Sequence, residues 1–204
     1  MSRILVWDAP TRVGHWLMAG SFALAFVTGD SEAWRNVHVV AGYVFLATIV
    51  FRLAWGLIGT RYARFGSFVQ PPAAVTGYAK SLLTGRPEHW VGHNPAGGYA
   101  ILAMLILGLL AAATGILHYA GIAGDLFEEV HEAMANIALA VVAVHLVGVA
   151  VGSLAHGENL PATMVSGYKR GELADAIRSP LWLVALVLVA WVWLAAAWLR
   201  VALG

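Results

Sequence analysis

Apolar residues run through this chain in five long blocks separated by more polar connections. The blocks cover residues 13–29, 37–58, 97–118, 128–152 and 180–203. Each approaches or exceeds the roughly 20 residues that an α-helix needs to cross the hydrocarbon core of a bilayer. The pattern predicts an all-α integral membrane protein, a bundle of about five transmembrane helices in which the first four form the core.

Composition strengthens this prediction. Hydrophobic residues make up 60% of the 204 residues, charged residues only 11%, and the mean hydropathy is +0.76. Soluble domains carry about a quarter charged residues. The length leaves no room for a separate soluble domain of normal size, so we expect one membrane domain over residues 1–204. Because cysteine is absent, disulfides, thiolate-bound iron–sulfur clusters and covalent haem attachment are excluded.

Charge predicts an orientation for the bundle. Nearly all arginines and lysines fall on one side of a five-span topology, and only Arg35 and Arg200 fall on the other. By the positive-inside rule, the amino terminus is expected in the cytoplasm and the carboxyl terminus outside. The long connections 59–96 and 153–179 then lie inside and are expected to contain short interfacial helices. Acidic residues mark the outer face: Asp30, Glu32, Asp125, Glu128 and Glu129.

Four histidines pair by depth in this topology. His131 and His145 lie fourteen residues apart on one apolar segment, so they face nearly the same way about 21 Å apart. His38 is level with His131 near the outer side, and His15 is level with His145 near the inner side. Two levels of paired imidazoles from different helices are what two bis-histidine b-type haems need, since each iron takes one axial ligand from each face. Intramembrane histidines are costly enough to indicate function.

Two further features fit such sites. Small residues lie one turn after each histidine and leave space for a flat macrocycle, although small residues also simply let membrane helices approach: Ala19, Gly42, Ala135 and Gly148. Arg52 lies fourteen residues after His38, on the same helix face and at the inner level. Its guanidinium either pairs with a haem propionate or anchors the helix at the interface.

Five sequence segments, taken together, resemble a known family. They are WDAPTRVGHW at 7–16, NVHVVAGY at 36–43, GHNPAG at 92–97, EEVHEAMANIALAVVAVH at 128–145 and GENLPATMVSGYKRG at 157–171. In order and spacing they resemble the bacterial cytochrome b561 family, particularly its hydrogenase b-type cytochrome subunit branch. The resemblance implies a helical bundle in the bacterial inner membrane, with axial haem ligands at the positions of His15, His38, His131 and His145. A fifth span resembles the hydrogenase branch and implies a docking partner.

The expected function is electron transfer through two haems b, because six-coordinate iron has no open position for oxygen chemistry. The family points to quinone as the lipid-soluble substrate. Candidate contacts on the inner side are Arg12, Trp16, His93, Asn94, Tyr168 and Lys169, among which sequence does not choose. Asp125, Glu128 and Glu129 either steer a basic redox protein or form a solvated helix start.

We therefore expect a cytochrome that passes electrons between a periplasmic partner, either a c-type cytochrome or a hydrogenase, and the quinone pool. No separate catalytic residue and no nucleic-acid partner are predicted. One alternative is a self-sufficient superoxide:quinone oxidoreductase of the same fold, which the acidic outer face disfavours. Another is a proton or metal transporter with a histidine relay. Histidines 89, 93, 118 and 156 are expected to be solvated at loops or interfaces, with proton transfer or quinone contact as the alternative.

Overall fold

The chain is described by a computed structural model that covers residues 2–122 and 124–203. Helices dominate it, and one short antiparallel strand pair accompanies them. In chain order the elements are β1 Ser2–Leu5, α1 Ala9–Thr28, α2 Arg35–Ile58, α3 Phe65–Phe68, α4 Pro72–Leu83, α5 Pro95–Tyr119, α6 Asp125–His156, α7 Leu160–Ser166, β2 Tyr168–Gly171 and α8 Trp182–Leu203. The two long connections contain the short helices α3, α4 and α7.

Four helices are long and apolar enough to cross a membrane: Glu32–Ile58, Pro95–Tyr119, Asp125–His156 and Trp182–Ala202. They match the last four predicted spans. The first predicted span forms α1, a helix of 20 residues that begins earlier than expected, at Ala9. Arg12 and His15 lower the mean hydropathy of α1, so α1 is not among these four helices.

Local signals explain where the helices begin and end. The Asp8 carboxylate accepts a hydrogen bond from the backbone N–H of Thr11 at 2.7 Å and caps α1, and Asn94 caps α5 by accepting from the N–H of Gly97 at 2.8 Å. Proline follows each cap within the first turn, where its missing N–H costs nothing. Gly157 ends α6 with a left-handed φ of 58°, a conformation that favours glycine.

The bundle consists of two helical hairpins and one added helix. α1 packs along α2, α5 packs along α6, and α2 joins the hairpins by packing against α5. Gly108 of α5 makes this junction close, because a Cβ there would lie 2.9 Å from the side chains of Phe45 and Ile49. α8 packs against α1 and α2 through a core centred on Leu188 and Val192. The α6 helix has its most extensive contacts with α5, so its histidines are presented at the border between the hairpins.

A polar cap that the sequence did not predict closes one end of the bundle. There β1 pairs antiparallel with β2, Ser2 opposite Gly171. Asp8 is fully buried beneath the pair and accepts hydrogen bonds from the Trp55 indole and the Thr60 hydroxyl. We call this the ribbon end; it holds the starts of α1 and α5 and the ends of α2 and α6. The opposite end, with the starts of α2 and α6, is the far end.

Candidate haem-binding sites

The structure brings His38 and His131 together near the far end. Their ring centroids lie 5.9 Å apart and the rings are inclined by 84°. Two imidazole nitrogens bound to one metal at roughly 2.0–2.1 Å each would place the ring centres roughly 6 Å apart. The two side chains, supplied by α2 and α6, therefore already have the separation that a shared six-coordinate iron requires.

Backbone carbonyls orient both of these rings. Nδ1 of His38 lies 2.8 Å from the carbonyl oxygen of Ala25, and Nδ1 of His131 lies 2.8 Å from that of Ala111. A carbonyl only accepts, so each Nδ1 carries the proton and each Nε2 keeps its free lone pair. This is the usual outer-shell arrangement of a metal-binding histidine, in which one nitrogen is held so that the other can bind.

Gly115 allows His131 to lie against α5. A Cβ at this position would be 2.8 Å from Nδ1 and 2.9 Å from Cε1 of the His131 ring, distances that no real side chain tolerates. Sequence reasoning missed Gly115, because a single glycine in an apolar helix is common. Gly42, which was predicted to leave space beside His38, would meet no atom within 4 Å if it carried a Cβ, and the same is true of Gly148.

The second predicted pair, His15 and His145, lies towards the ribbon end, and the two side chains are close enough to interact electrostatically. His15 differs from the far-end histidines in its second nitrogen: its Nδ1 is buried and has no hydrogen-bond partner among the described residues. The edge of the half-exposed Trp16 ring packs against it, with centroids 4.9 Å apart. The orientation of this ring is therefore left to packing.

Arg52 is buried at the ribbon end. Its residue is 6% exposed, and its guanidinium lies over the rings of Phe65 and Phe68 at 5.1 and 5.7 Å. Within the described chain, one terminal nitrogen, NH1, is buried with no hydrogen-bond partner. A buried guanidinium with an unpaired N–H is costly unless an anion completes it. The carboxylate of a haem propionate is an anion of the right chemistry.

His93 is only partly exposed, whereas it was expected to be solvated. It packs between the rings of Trp7 and Phe68, with centroid distances of 4.6 and 4.8 Å, and its Nδ1 is buried without a partner in the described residues. Burial, together with the nearby charges of Arg52 and Lys169, lowers the pKa of His93 to about 3. His15 and His145 are also within electrostatic range of it. A neutral imidazole thus lies beside the ribbon-end pair.

The other inner-side candidates divide into buried and exposed groups. Arg12 is buried and donates to the carbonyl of Val165 at 2.6 Å, while its Nε has no partner among the described residues. Lys169 is also buried; it donates to the Trp90 carbonyl at 3.2 Å, and burial lowers its pKa although nearby Glu158 opposes this. Tyr168 is exposed, and the Arg3 guanidinium lies over its ring at 4.6 Å.

Asn94 belongs to a small polar cluster that sequence reasoning did not find. Its Nδ2 donates to the Tyr78 hydroxyl at 3.2 Å, and that hydroxyl lies 3.5 Å from Nε2 of His156. Burial raises the pKa of Tyr78. His89, which is exposed as expected, contacts the His156 ring edge-on at 6.2 Å. No sequence pattern links positions 78, 94 and 156, because three separate segments supply them.

Histidines arranged in pairs fit axial ligation of haem better than they fit a bare metal ion. Within residues 2–122 and 124–203, no three histidine, aspartate or glutamate side chains converge as a metal site. Histidines that meet in pairs, with one pair already at the separation for axial ligation, are suited to an iron whose other four ligands come from a porphyrin. At the far end the acidic Asp125, Glu128 and Glu129 are exposed in the first turns of α6.

A multi-helix membrane bundle with paired histidines defines the class of membrane b-type cytochromes. The model of the prokaryotic cytochrome b561 family matches residues 6–167 of the chain. The chain therefore belongs to the prokaryotic cytochrome b561 family. It is a multi-pass bacterial membrane protein of the b-type cytochrome class.

The curated relatives described below are both named as B-type cytochrome subunits of Ni/Fe-hydrogenases. The "Probable Ni/Fe-hydrogenase 1 B-type cytochrome subunit" of Escherichia coli K12 is 27% identical over 140 residues, which cover 56% of this chain and 59% of the relative. The "Probable Ni/Fe-hydrogenase B-type cytochrome subunit" of Azotobacter vinelandii is 28% identical over 145 residues, 57% of this chain and 60% of the relative. The chain thus spans about three fifths of the length of these relatives. No solved structure matches it.

Proposed function

We propose that this protein is a di-haem cytochrome that passes electrons between a periplasmic redox protein and the quinone pool. The observation that carries the proposal is the His38–His131 pair, with ring centroids 5.9 Å apart and both Nδ1 atoms directed at backbone carbonyls. In this arrangement both Nε2 atoms are free to bind iron from opposite sides.

The two pairs serve two haems at different depths. His38 and His131 hold the far-end haem, and His15 and His145 hold the ribbon-end haem. Because fourteen helical residues separate His131 from His145, the two levels are about 21 Å apart along α6. Haem with two histidine ligands supplies one-electron chemistry without an open iron position. Arg52 and Arg12, both buried with unpaired nitrogens among the described residues, bind propionates at the ribbon end.

Quinone binds beside the ribbon-end pair in this proposal. Quinone reduction consumes two electrons and two protons, so its site needs groups that hold or pass protons next to an apolar slot. His93 is neutral because burial lowers its pKa to about 3, which suits a hydrogen-bond partner for a quinone carbonyl. The Asn94, Tyr78 and His156 cluster provides a proton route towards the exposed His89.

The redox partner docks at the far end. Asp125, Glu128 and Glu129 are exposed there, and a negative surface favours a partner with a basic patch. The relatives' names support a Ni/Fe-hydrogenase as this partner, and a c-type cytochrome has the same requirement for a complementary charge. This assignment puts the far end in the periplasm and the ribbon end, with the amino terminus, in the cytoplasm.

The proposal also assigns the whole chain to one membrane domain with five spans. α1, the first helix in the chain, is the span that adds to the four named above, since its 20 residues suffice to cross the hydrocarbon core. Its polar first turn is covered by the ribbon cap and by packing against α2 and α8. An odd number of spans places the carboxyl terminus opposite the amino terminus.

Haem content and quinol reactivity of the purified full-length protein test this function. We expect two haems b per chain, measured by the pyridine haemochrome method against protein concentration. We also expect a short-chain quinol to reduce the α-band. One haem per chain would contradict the two-site assignment, and none would overturn the cytochrome function. Two haems that quinol cannot reduce would reject quinone as the substrate.

A further inference from the structure

A cleft of about 370 Å³ lies at the ribbon end, between the segment that follows α2 and the segment that precedes α8. Three arginines line it, Arg61 and Arg64 from the first segment and Arg178 from the second. Asp175 forms an ion pair with Arg61 at 3.2 Å. Among the described residues, no acidic side chain pairs with Arg64 or Arg178. The cleft therefore carries a net positive charge.

The two walls of the cleft are held in place by bonds outside it. The Tyr62 hydroxyl donates to the Asp175 carbonyl at 2.9 Å, and the Ile177 N–H donates to the Leu5 carbonyl at 2.9 Å. These bonds connect the segment after α2, the segment before α8 and β1. Arg64 and Arg178 are thus held near one another although like charges repel, an arrangement that an anion between them would stabilise.

The backbone before α8 adds donors to the same cleft. Leu181, a lining residue, has a φ of 55°, which is strained for a branched side chain. The Leu181 N–H donates to the Ser179 hydroxyl oxygen at 3.3 Å, which leaves the hydroxyl proton of Ser179 free to donate. α8 begins at the next residue, and the first N–H groups of a helix attract anions.

Apolar side chains next to the cleft indicate what kind of anion it takes. Leu57 and Ile58 end α2 with 72% and 78% exposure, and Trp182 and Leu183 begin α8 with 57% and 75%. α2 and α8 pack together, and the cleft is lined by Thr60 just after α2 and by Leu181 just before α8, so these exposed apolar residues lie next to the cleft. A ligand that matches both parts has a phosphate and hydrocarbon chains.

We infer that this cleft binds the phosphodiester headgroup of an anionic phospholipid. Arg64 and Arg178 are the phosphate ligands, Ser179 donates a hydrogen bond, and the acyl chains lie over Leu57 and Leu183. The site is separate from the histidine pairs and does not depend on the haem or quinone assignments. A basic pocket at the end of membrane helices is a typical site for anionic lipids.

Native mass spectrometry of the full-length protein in detergent, titrated with phosphatidylglycerol or phosphatidylcholine, tests the inference. We expect one phosphatidylglycerol to bind more tightly than phosphatidylcholine. The double variant Arg64→Gln and Arg178→Gln should weaken phosphatidylglycerol binding roughly 30-fold, since each arginine near an anionic headgroup contributes about a factor of five. Arg86→Gln, an exposed arginine in the connection between α4 and α5, is the matched control and should bind like the parent.

Inorganic phosphate separates a lipid site from a site for soluble anions. At millimolar concentration it should not displace phosphatidylglycerol, because it makes no apolar contact. Displacement by phosphate would reject the lipid assignment. Equal phosphatidylglycerol affinity in the parent and the double variant would overturn the site. The site would also be overturned if Arg86→Gln lost as much affinity as the double variant. Far-UV circular dichroism and haem absorption identify a variant that has not folded, in which case the single variants Arg64→Gln and Arg178→Gln replace it, and each should weaken phosphatidylglycerol binding about fivefold.

Discussion

The two histidine pairs of this protein are built differently. At the far end, backbone carbonyls of α1 and α5 orient His38 and His131, and the two ring centroids lie 5.9 Å apart. At the ribbon end, His15 has a buried Nδ1 without a partner among the described residues, and it lies near His93, which in turn is close to the buried Arg52. The far-end pair is positioned by helix backbone, whereas the ribbon-end pair lies in a setting of charged and titratable side chains.

The two sites take their geometry and their electrostatics from different parts of the fold. Hydrogen bonds from a histidine to a helix carbonyl are rigid, so the far-end geometry is set before any cofactor binds. Buried side chains with unpaired nitrogens make the ribbon end incomplete by itself, and its electrostatics depend on residues from four segments. We expect substitutions that alter side-chain size to affect the far-end site most, and substitutions that alter charge to affect the ribbon-end site most.

The largest effect is expected from removing the ligands. His131→Ala and His38→Ala should each remove the same spectral component and about half of the haem, because the two imidazoles share one iron. His15→Ala and His145→Ala should each remove the other component. Reduced-minus-oxidised spectra at low temperature distinguish the two. If His15→Ala and His131→Ala abolished the same component, the pairing by depth would be wrong.

A smaller but selective effect is expected from Gly115→Ala. The added Cβ would lie 2.8 Å from Nδ1 of His131 and displace the ring from the Ala111 carbonyl. We expect partial loss or broadening of the far-end spectral component and an unchanged ribbon-end component, as measured by electron paramagnetic resonance of the oxidised protein. Gly20→Ala is the control, since a Cβ at that position meets nothing within 4 Å. Equal spectra for the two variants would contradict a role for Gly115.

Arg52→Gln tests the importance of charge at the ribbon end. Loss of a buried positive charge disfavours the reduced haem, which has one more electron, so the midpoint potential of the ribbon-end component should fall by roughly 60 mV. The far-end potential should change much less, and Arg52→Lys should restore most of the difference. Spectroelectrochemical titration measures both. An equal shift of the midpoint potentials of both spectral components would contradict the proposed difference between the two ends.

The smallest effect concerns His93 and pH. Its folded pKa of about 3 lies below the roughly 6.5 of an unfolded histidine. Between these values the unfolded state binds more protons, so the free energy of unfolding falls as pH falls, by about 1.4 kcal/mol per pH unit. In thermal unfolding experiments in detergent, the unfolding temperature should fall less between pH 7 and pH 4.5 for His93→Gln than for the parent. His89→Gln, at an exposed position, should follow the parent.

Sequence reasoning located most of the helices and paired the histidines, because both follow from periodicity along one chain. The helix rise alone puts His131 and His145 at two levels, and the approach of the His38 and His131 rings agrees with the predicted far-end pair. The start of α1 was misplaced, since Asp8 and Pro10 permit a helix through polar residues that a hydropathy pattern leaves out.

The amino-acid sequence predicts the membrane class, the family and the helical segments, and it predicts a level for each histidine. Which atoms lie together at each candidate site depends on tertiary packing. Gly115 beside His131, the burial of His93 between Trp7 and Phe68, and the polar cap around Asp8 all join segments far apart in the chain. Such contacts leave no periodic signal, because they depend on how helices pack, and packing joins residues without regard to their spacing in sequence.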